Sequence, residues 1–351
     1  MVTLIITDIM QFSVIIPIFH SHSTIARCLD TFLAQSASDD LEILCIGDKI
    51  EDPSHAIVEE YARKHPGVVH LHLQDGRGQG GARNVGLSLA HGDYIMFADA
   101  DDYVEPNILA TCADALRQFN ADFICVGFDR ASVSGKRYSY EQAVPETTPV
   151  DVTPENLARL AFIYPAPWGK LFRREVIGDC RFPENPASAY EDLIFFLSLC
   201  PHIRRYVLLP DILYHYIVHD KSSITSASPE KTRIFRKDLI TLRRNFETDE
   251  LPAPYFNLLD TAAFIHVGIA DAHRMAENPS VSLRGFCTKA KEFLQAHFPG
   301  WRRIPLRPYG RFTLRCAAVW FAKHAYRLGL FWLFIRLYNR MIKTLHMDVK
   351  W

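Results

Sequence analysis

From Phe12 to about Phe128 the chain alternates short β-rich runs with helix-length segments, and this rhythm restricts the fold more than any other feature. The runs FSVIIPI, LEILCIG, VVHLHL, DYIMFAD and ADFICVGF are predicted strands. Between them the pattern predicts helices at about 23–36, 53–65, 79–91 and 106–118, with Ser23, Pro53 and Pro106 in starting positions. Such an alternation implies an α/β fold with a mostly parallel central sheet flanked by helices, whose ligands gather at the carboxyl ends of strands.

The rest of the chain is less rhythmic. Residues 129–160 are polar and punctuated by prolines, and are expected to leave the sheet as a loop. PWGKLFRREVI and ASAYEDLIFFLSLC are predicted as helical segments, YVLLPDILYHYIVHDKSSIT as two strands with a polar turn, and the chain beyond Pro229 as helical throughout. Two regions are expected, residues 1–228 as a catalytic domain and 229–351 as a helical C-terminal region. The opening MVTLIITDIMQ lacks a basic leader and is too short and interrupted for a secretion signal or a membrane span, so it is expected to be an extension that precedes the first strand. None of the eight cysteines forms a C-x-x-C pair, and Cys45, Cys112, Cys125 and Cys200 sit in apolar runs; reduced thiols and a cytoplasmic location follow as expectations.

The strand DYIMFAD runs straight into three carboxylates, Asp99, Asp101 and Asp102. Acids at the end of a buried strand repel one another unless a cation balances them. If the strand continues, Asp99 and Asp101 point the same way and offer an oxygen-rich site to Mn2+ or Mg2+ shared with substrate phosphates. Taken alone, D-x-D is equally explained by exposed loop acids or a helix cap before Pro106.

The order of several segments narrows the choice. SVIIPIFH, RCLDTFLAQS, EILCIGD, GQGGARNVGLSLAHGDYIMFADADDYVEP, PWGKLFRREVI and YEDLIFFLSL together resemble the family 2 glycosyltransferases of GT-A fold over roughly residues 12–225. The resemblance implies inverting transfer of a sugar from a nucleotide diphosphate donor, with a UDP-sugar expected, to a hydroxyl of a glycan or lipid-linked saccharide in surface polysaccharide assembly. It places Asp101 on the metal and Asp99 on the ribose or donor sugar, while Asp102 either caps the following helix or touches substrate on the acceptor side. Arg83, in the glycine-rich Gly76–Asn84 segment, belongs at the nucleotide, with a structural salt bridge as the alternative. Pro17 and Phe19 would line the nucleobase pocket. The family's paired acids after the second strand reduce here to Asp48, because Gly47 replaces the first.

The resemblance also makes Asp192 the base that takes the acceptor proton, with Glu191 as its orienter or an acceptor contact. Trp168 and Lys170 come from the acceptor-side part of the pattern, where an aromatic face suits a sugar ring but a buried Trp is nearly as common. His219, with Lys221 and Ser222, falls where relatives close over the donor, so His219 is either a further metal ligand or a loop histidine. Ile217 and Val218 stand where relatives often have an Arg. The missing acid and the missing Arg leave a second reading open, a degenerate, non-catalytic member acting as a scaffold.

Eleven of the 39 Lys and Arg but one of the 40 Asp and Glu fall in residues 301–351. Arg336, Arg340 and Lys343 recur at helical spacing, as do Arg315, Lys323 and Arg327, leaving aromatic and aliphatic residues for other faces. A helix lying on an anionic membrane surface, on the inner face of the cell membrane, is expected from 302–351; packing on the protein or on a second copy is the alternative. No nucleic acid is expected, since nothing in the catalytic part supports one.

Overall fold

The computed structural model describes residues 11–36, 40–132, 136–141, 144–185, 190–218, 228–276, 278–304 and 314–345. The chain forms two compact units, one of Met1–Asp151, Ala166–Pro186 and His202–His219, the other of Val152–Pro165, Ala187–Pro201 and Asp220–Trp351. A single cut at residue 228 therefore differs from the division the chain adopts, since two earlier segments join the helical unit.

The first unit is built on a ten-stranded sheet: β1 (Phe12–Ile18), β2 (Leu41–Asp48), β3 (Val69–Gln74), β4 (Tyr94–Phe97), β5 (Tyr103–Val104), β6 (Phe123–Ala131), β7 (Arg137–Glu141), β8 (Thr148–Asp151), β9 (Lys170–Arg173) and β10 (Arg205–Ile217). Their order is β3-β2-β1-β4-β9-β6-β10-β5, with β7 beside β6 and β8 beside β10. Helices α1 (Ile25–Leu33), α2 (Pro53–Lys64), α3 (Gly78–Leu89), α4 (Ile108–Phe119) and α5 (Arg174–Ile177) belong to the same unit. All seven residues of β1 are buried, as a strand covered on both faces requires. From β1 the chain steps outward to β2 and β3, then returns to the other side of β1 with β4, in parallel register from Phe12 opposite Tyr94 to Ile15 opposite Phe97. That reversal opens the crevice in which open sheets bind ligands.

Helix starts follow local chemistry. Asp52 caps α2 by accepting the Ser54 N–H at 2.9 Å, with Pro53 in the first turn; a cap of this kind contributes about 1 kcal/mol. In α3 the close approach of backbone to neighbours needs glycine, because a β-carbon at Gly86 would collide with Ile15 and one at Gly80 with the Pro183 carbonyl. These glycines serve the packing of the helix within the unit.

Three expectations differ from the structure. Lys170–Arg173, expected in a helix, is strand β9, antiparallel to both β4 and β6. Gly169, at φ +65°, turns the chain there, and the unpaired backbone edges of two flanking strands outweigh the helical propensity of four residues. The expected pair of strands after residue 205 is one strand, β10, with register shifts between Leu208 and Tyr214, around Pro210, which cannot donate to a ladder. The 129–160 region does not leave the sheet as expected: β6 runs on to Ala131, and β7 and β8 pair with β6 and β10.

The second unit holds α6 (Glu191–Leu199), α7 (Pro229–Thr248), α8 (Ala253–Ala263), α9 (Asp271–Met275), α10 (Leu283–His297), α11 (Leu314–Arg327) and α12 (Phe331–Leu345). Phe264–Ala270 between α8 and α9 is π-helical. Leu193, Ile194, Phe195, Phe196, Leu197 and Leu199 of α6 are all buried, so this helix is apolar around its circumference and packs on α7. The core beneath α8 includes Trp301, stacked on Phe264 at 5.2 Å.

Candidate functional site

Strand β4 stops at Phe97, and the acids that follow lie in a tight turn closed by Asp102 N–H on the Asp99 carbonyl at 3.1 Å. The strand does not continue as the alternation assumed, yet carboxylate atoms of Asp99, Asp101 and Asp102 all come within 4.8 Å of one another. Their environments differ. Asp102 is 1% exposed; its Oδ2 accepts from the Tyr214 hydroxyl at 2.6 Å and its Oδ1 from the Ile217 N–H at 2.8 Å. Burial pushes its carboxyl well above the ordinary carboxylate range, repulsion from Asp101 and Asp99 adds to the rise, and the two hydrogen bonds oppose it. Asp102 therefore braces the turn against β10 and does not cap the following helix, whose N-cap position is held by Asn107.

Asp99 and Asp101 are half-buried. Asp99 Oδ1 accepts from Arg83 Nη2 at 2.9 Å, and its backbone N–H donates to the Tyr214 hydroxyl oxygen at 3.2 Å. Arg83, 1% exposed, also lies over the Phe182 ring at 5.4 Å, so its guanidinium is part of the acid turn's own charge balance. Arg27 Nη2 donates to the Asp101 carbonyl at 2.8 Å and fixes the turn from α1. The donor set is all oxygen, which fits a hard divalent cation, with Asp99 and Asp101 supplying the carboxylates that Asp102 cannot. Tyr214 was not legible as a site residue, because 112 positions separate it from Asp102.

A second part of the crevice lies at the carboxyl ends of β1 and β2. Pro17 is buried in β1 opposite Ile46, and Phe19 is 57% exposed, with its ring 4.3 Å from that of His20. His20 adopts φ +50°, unusual for a residue with a β-carbon; its N–H donates to Asp52 Oδ2 at 2.6 Å, which ties the strand end to the start of α2. At Gly47, the position of the missing acid, a β-carbon would collide with His55 Nε2. The His55 ring thus lies over the strand end at this position, a neighbour that sequence spacing does not reveal. Asp48 Oδ1 and His55 Nε2 are both buried with no hydrogen-bond partner among the described residues.

Residues 13–181 match the family model described as glycosyl transferase family 2. This stretch belongs to glycosyl transferase family 2. The chain is 32% identical over 212 residues to the uncharacterized glycosyltransferase EpsJ of Bacillus subtilis, covering 58% of this chain and 60% of EpsJ. Over 212 residues it is 29% identical to the poly(ribitol-phosphate) β-N-acetylglucosaminyltransferase TarS of Staphylococcus aureus, covering 59% of this chain but 35% of TarS. The chain thus spans less than two thirds of the length of these relatives. The crystal structure of TarS 1–349 with UDP-GlcNAc superposes with a TM-score of 0.69 at 21% identity, covering 94% and 92% of the two chains, which shows the GT-A fold. A mannosyltransferase from Pyrobaculum calidifontis, in complex with GDP-Man and Mn2+, matches at 17% identity with a TM-score of 0.52, over 97% of this chain and 88% of that one.

The other residues singled out for a family 2 glycosyltransferase fall as follows. Trp168 is 4% exposed, stacked on Tyr214 at 4.7 Å and Tyr216 at 5.3 Å, so its ring is core rather than an open platform for a sugar. Lys170 is 2% exposed and its Nζ donates to the Ala166 carbonyl at 2.6 Å, holding the approach to β9 instead of reaching the surface. Glu191 and Asp192 are half-buried in the first turn of α6, in the second unit, where acids meet the positive helix end. His219, Lys221 and Ser222 lie outside the described residues.

Proposed function

We propose that this chain is an inverting glycosyltransferase that moves a sugar from a nucleotide diphosphate donor to a hydroxyl of a glycan or lipid-linked saccharide. The observation that carries the reading is the Asp99–Asp101 turn, placed by β4 at the reversal of strand order and flanked by Arg83, in a chain of this family. UDP is the expected carrier, supported by the UDP-GlcNAc complex of TarS, and a polymeric acceptor is supported by TarS being a poly(ribitol-phosphate) β-N-acetylglucosaminyltransferase. Asp101 and Asp99 are the residues that would hold Mn2+ or Mg2+; when bound, such an ion supplies Lewis-acid stabilisation to the departing diphosphate.

The chain's own residues do the rest. Arg83 orients the Asp99 carboxylate, Tyr214 fixes the turn by linking the Asp99 N–H to Asp102, and Arg27 holds the Asp101 backbone. Exposed Phe19 offers a face on which a nucleobase stacks, with Asp48 beside it at the strand end. Asp192 is the proposed general base and Glu191 its neighbour in the acceptor contact; sequence position within the family pattern supports these two roles.

Calorimetric titration of UDP, GDP, CDP and dTDP, each with and without Mn2+, tests the reading. One nucleotide is expected to bind in a metal-dependent way. Binding by none of them would overturn donor use and bring the scaffold reading forward.

A peripheral place on the inner face of an anionic membrane is also proposed. Among the described residues no helix is long and apolar enough to cross a membrane. On α12, Leu333, Leu337 and Met341 are exposed at helical spacing beside Arg336 and Arg340, and residues 314–345 contain no acid. Leu337→Ser is expected to reduce sedimentation with phosphatidylserine vesicles, and unchanged sedimentation would remove this face from membrane contact.

A further inference from the structure

The second unit contains a buried charged cluster that none of these roles uses. Tyr190, the residue immediately before Glu191 and Asp192, occupies the N-cap position of α6 without capping it through its side chain. Its hydroxyl donates to Asp271 Oδ1, its ring stacks on Phe235 of α7 at 4.0 Å, and the Arg274 guanidinium lies over the ring at 4.9 Å. Arg274 Nη1 also stands 3.6 Å from Asp271 Oδ1. Asp271 is the first residue after the π-helical segment, and the wider turn there sets the face on which its carboxylate emerges. A helix cap whose side chain is fixed on both its polar and its aromatic parts, far along the sequence, constrains the backbone that follows it.

We propose that Asp271 and Arg274 are positioning residues that act through Tyr190 to hold the first turn of α6, and with it Asp192, in the orientation a general base requires. The proposal rests on the reading of Asp192 as base. It has a titratable element, because burial pushes the Asp271 carboxyl up to about 7, against the opposing effects of Arg236 and Thr232. The groups facing Asp271 are Tyr190 from α6, Thr232 and Arg236 from α7, Arg274 from its own helix and Tyr326 from α11; His266 of the π-helical segment stands edge-on to Tyr190 at 6.5 Å. When Asp271 takes a proton, the cost of burying its charge is relieved, which outweighs the attraction lost to Arg236, and Tyr190 stays against the carboxyl.

The test uses the full chain and three variants, Tyr190→Phe, Asp271→Asn and Asp192→Asn. Hydrogen exchange of the α6 amides, corrected for intrinsic rates, is followed at pH 6 and 8, together with release of UDP from UDP-GlcNAc over the same range. In the wild type, protection of α6 is expected to rise severalfold from pH 8 to pH 6, as the packed chain binds the Asp271 proton more tightly than the opened one. Asp271→Asn, fixed in the uncharged state, should hold protection at the high value with no dependence on pH in this range, and Tyr190→Phe should lower both protection and the rate of UDP release while metal-dependent UDP binding is unchanged. Asp192→Asn should abolish release but leave protection of α6 as in the wild type. If Asp192→Asn is inactive while Tyr190→Phe and Asp271→Asn keep wild-type protection and pH profile, the positioning proposal is overturned alone. If Asp192→Asn retains activity, the base assignment fails first and the proposal with it.

Discussion

Asp102 and Asp271, one in each compact unit, are both buried and both accept from a tyrosine hydroxyl, Tyr214 and Tyr190 respectively. Burial raises the carboxyl pKa in each case, but the neighbours differ in sign. Asp102 sits among Asp101 and Asp99, which raise it further, whereas Asp271 sits beside Arg236, which lowers it, and within an ion pair of Arg274. The first cluster concentrates negative charge at a surface crevice with Arg83 paired to Asp99; the second buries charges of both signs together. The same pairing of tyrosine with aspartate thus braces a turn of clustered acids in one unit and joins a helix start to a buried ion pair in the other.

The sharpest way to break this distinction is to remove Asp101. Asp101→Ala is expected to weaken Mn2+-dependent nucleotide binding about a hundredfold, or about 2.7 kcal/mol, while Asp271→Ala leaves it unmoved. Equal affinity of Asp101→Ala and wild type by calorimetry would show that the acid turn does not take the ion.

A second comparison concerns pH and stability. The Asp271 value in the folded chain, about 7, lies above its ordinary 3.8, so the folded state binds the proton more tightly. The contribution of this group to stability is complete below about pH 4 and is lost as the pH rises through about 7. Asp271→Asn is expected to reduce the fall in unfolding free energy between about pH 4 and pH 7.5 by on the order of 3 kcal/mol, measured by urea denaturation. A fall as steep in the variant as in the wild type would mean that Asp271 is not the group that titrates.

The smallest effect separates the two tyrosines. Tyr214→Phe leaves Asp102 with one bond in a negatively charged surrounding and is expected to cost about 1–3 kcal/mol; Tyr190→Phe, with Arg236 and Arg274 still at Asp271, should cost about 1 kcal/mol. Equal costs in denaturant titrations would show that the sign of the neighbours matters less than the tyrosine itself.

Much of the first unit was legible because its signal is local. The β1 to β4 strands and the α1 to α4 helices alternate in a chain whose apolar runs and turn residues mark each boundary, and the acids after Phe97 announce themselves at the carboxyl end of a strand. What escaped depends on partners remote in sequence. Lys170–Arg173 is too short to display a period, and only the waiting edges of β4 and β6 make it a strand. Trp168 reads as a possible sugar platform until Tyr214 and Tyr216, more than forty residues later, stack on it. Gly47 reads as a loss until His55 is seen over it, and the Tyr190–Asp271 pair joins positions 81 residues apart with no motif linking them.

The insertion of β9 between β4 and β6 has a consequence for the birth of the chain. Strands β4 and β6 leave the ribosome first, with apolar faces and open hydrogen-bonding edges, and the segment that joins them emerges some forty residues after β6. At a synthesis rate of about 5–20 residues per second, those edges wait for seconds, long enough for pairing with other nascent chains. Mutations that slow the closure of β9, such as loss of the Gly169 turn, would then lower the yield of soluble protein during expression more than they lower the stability of the finished fold.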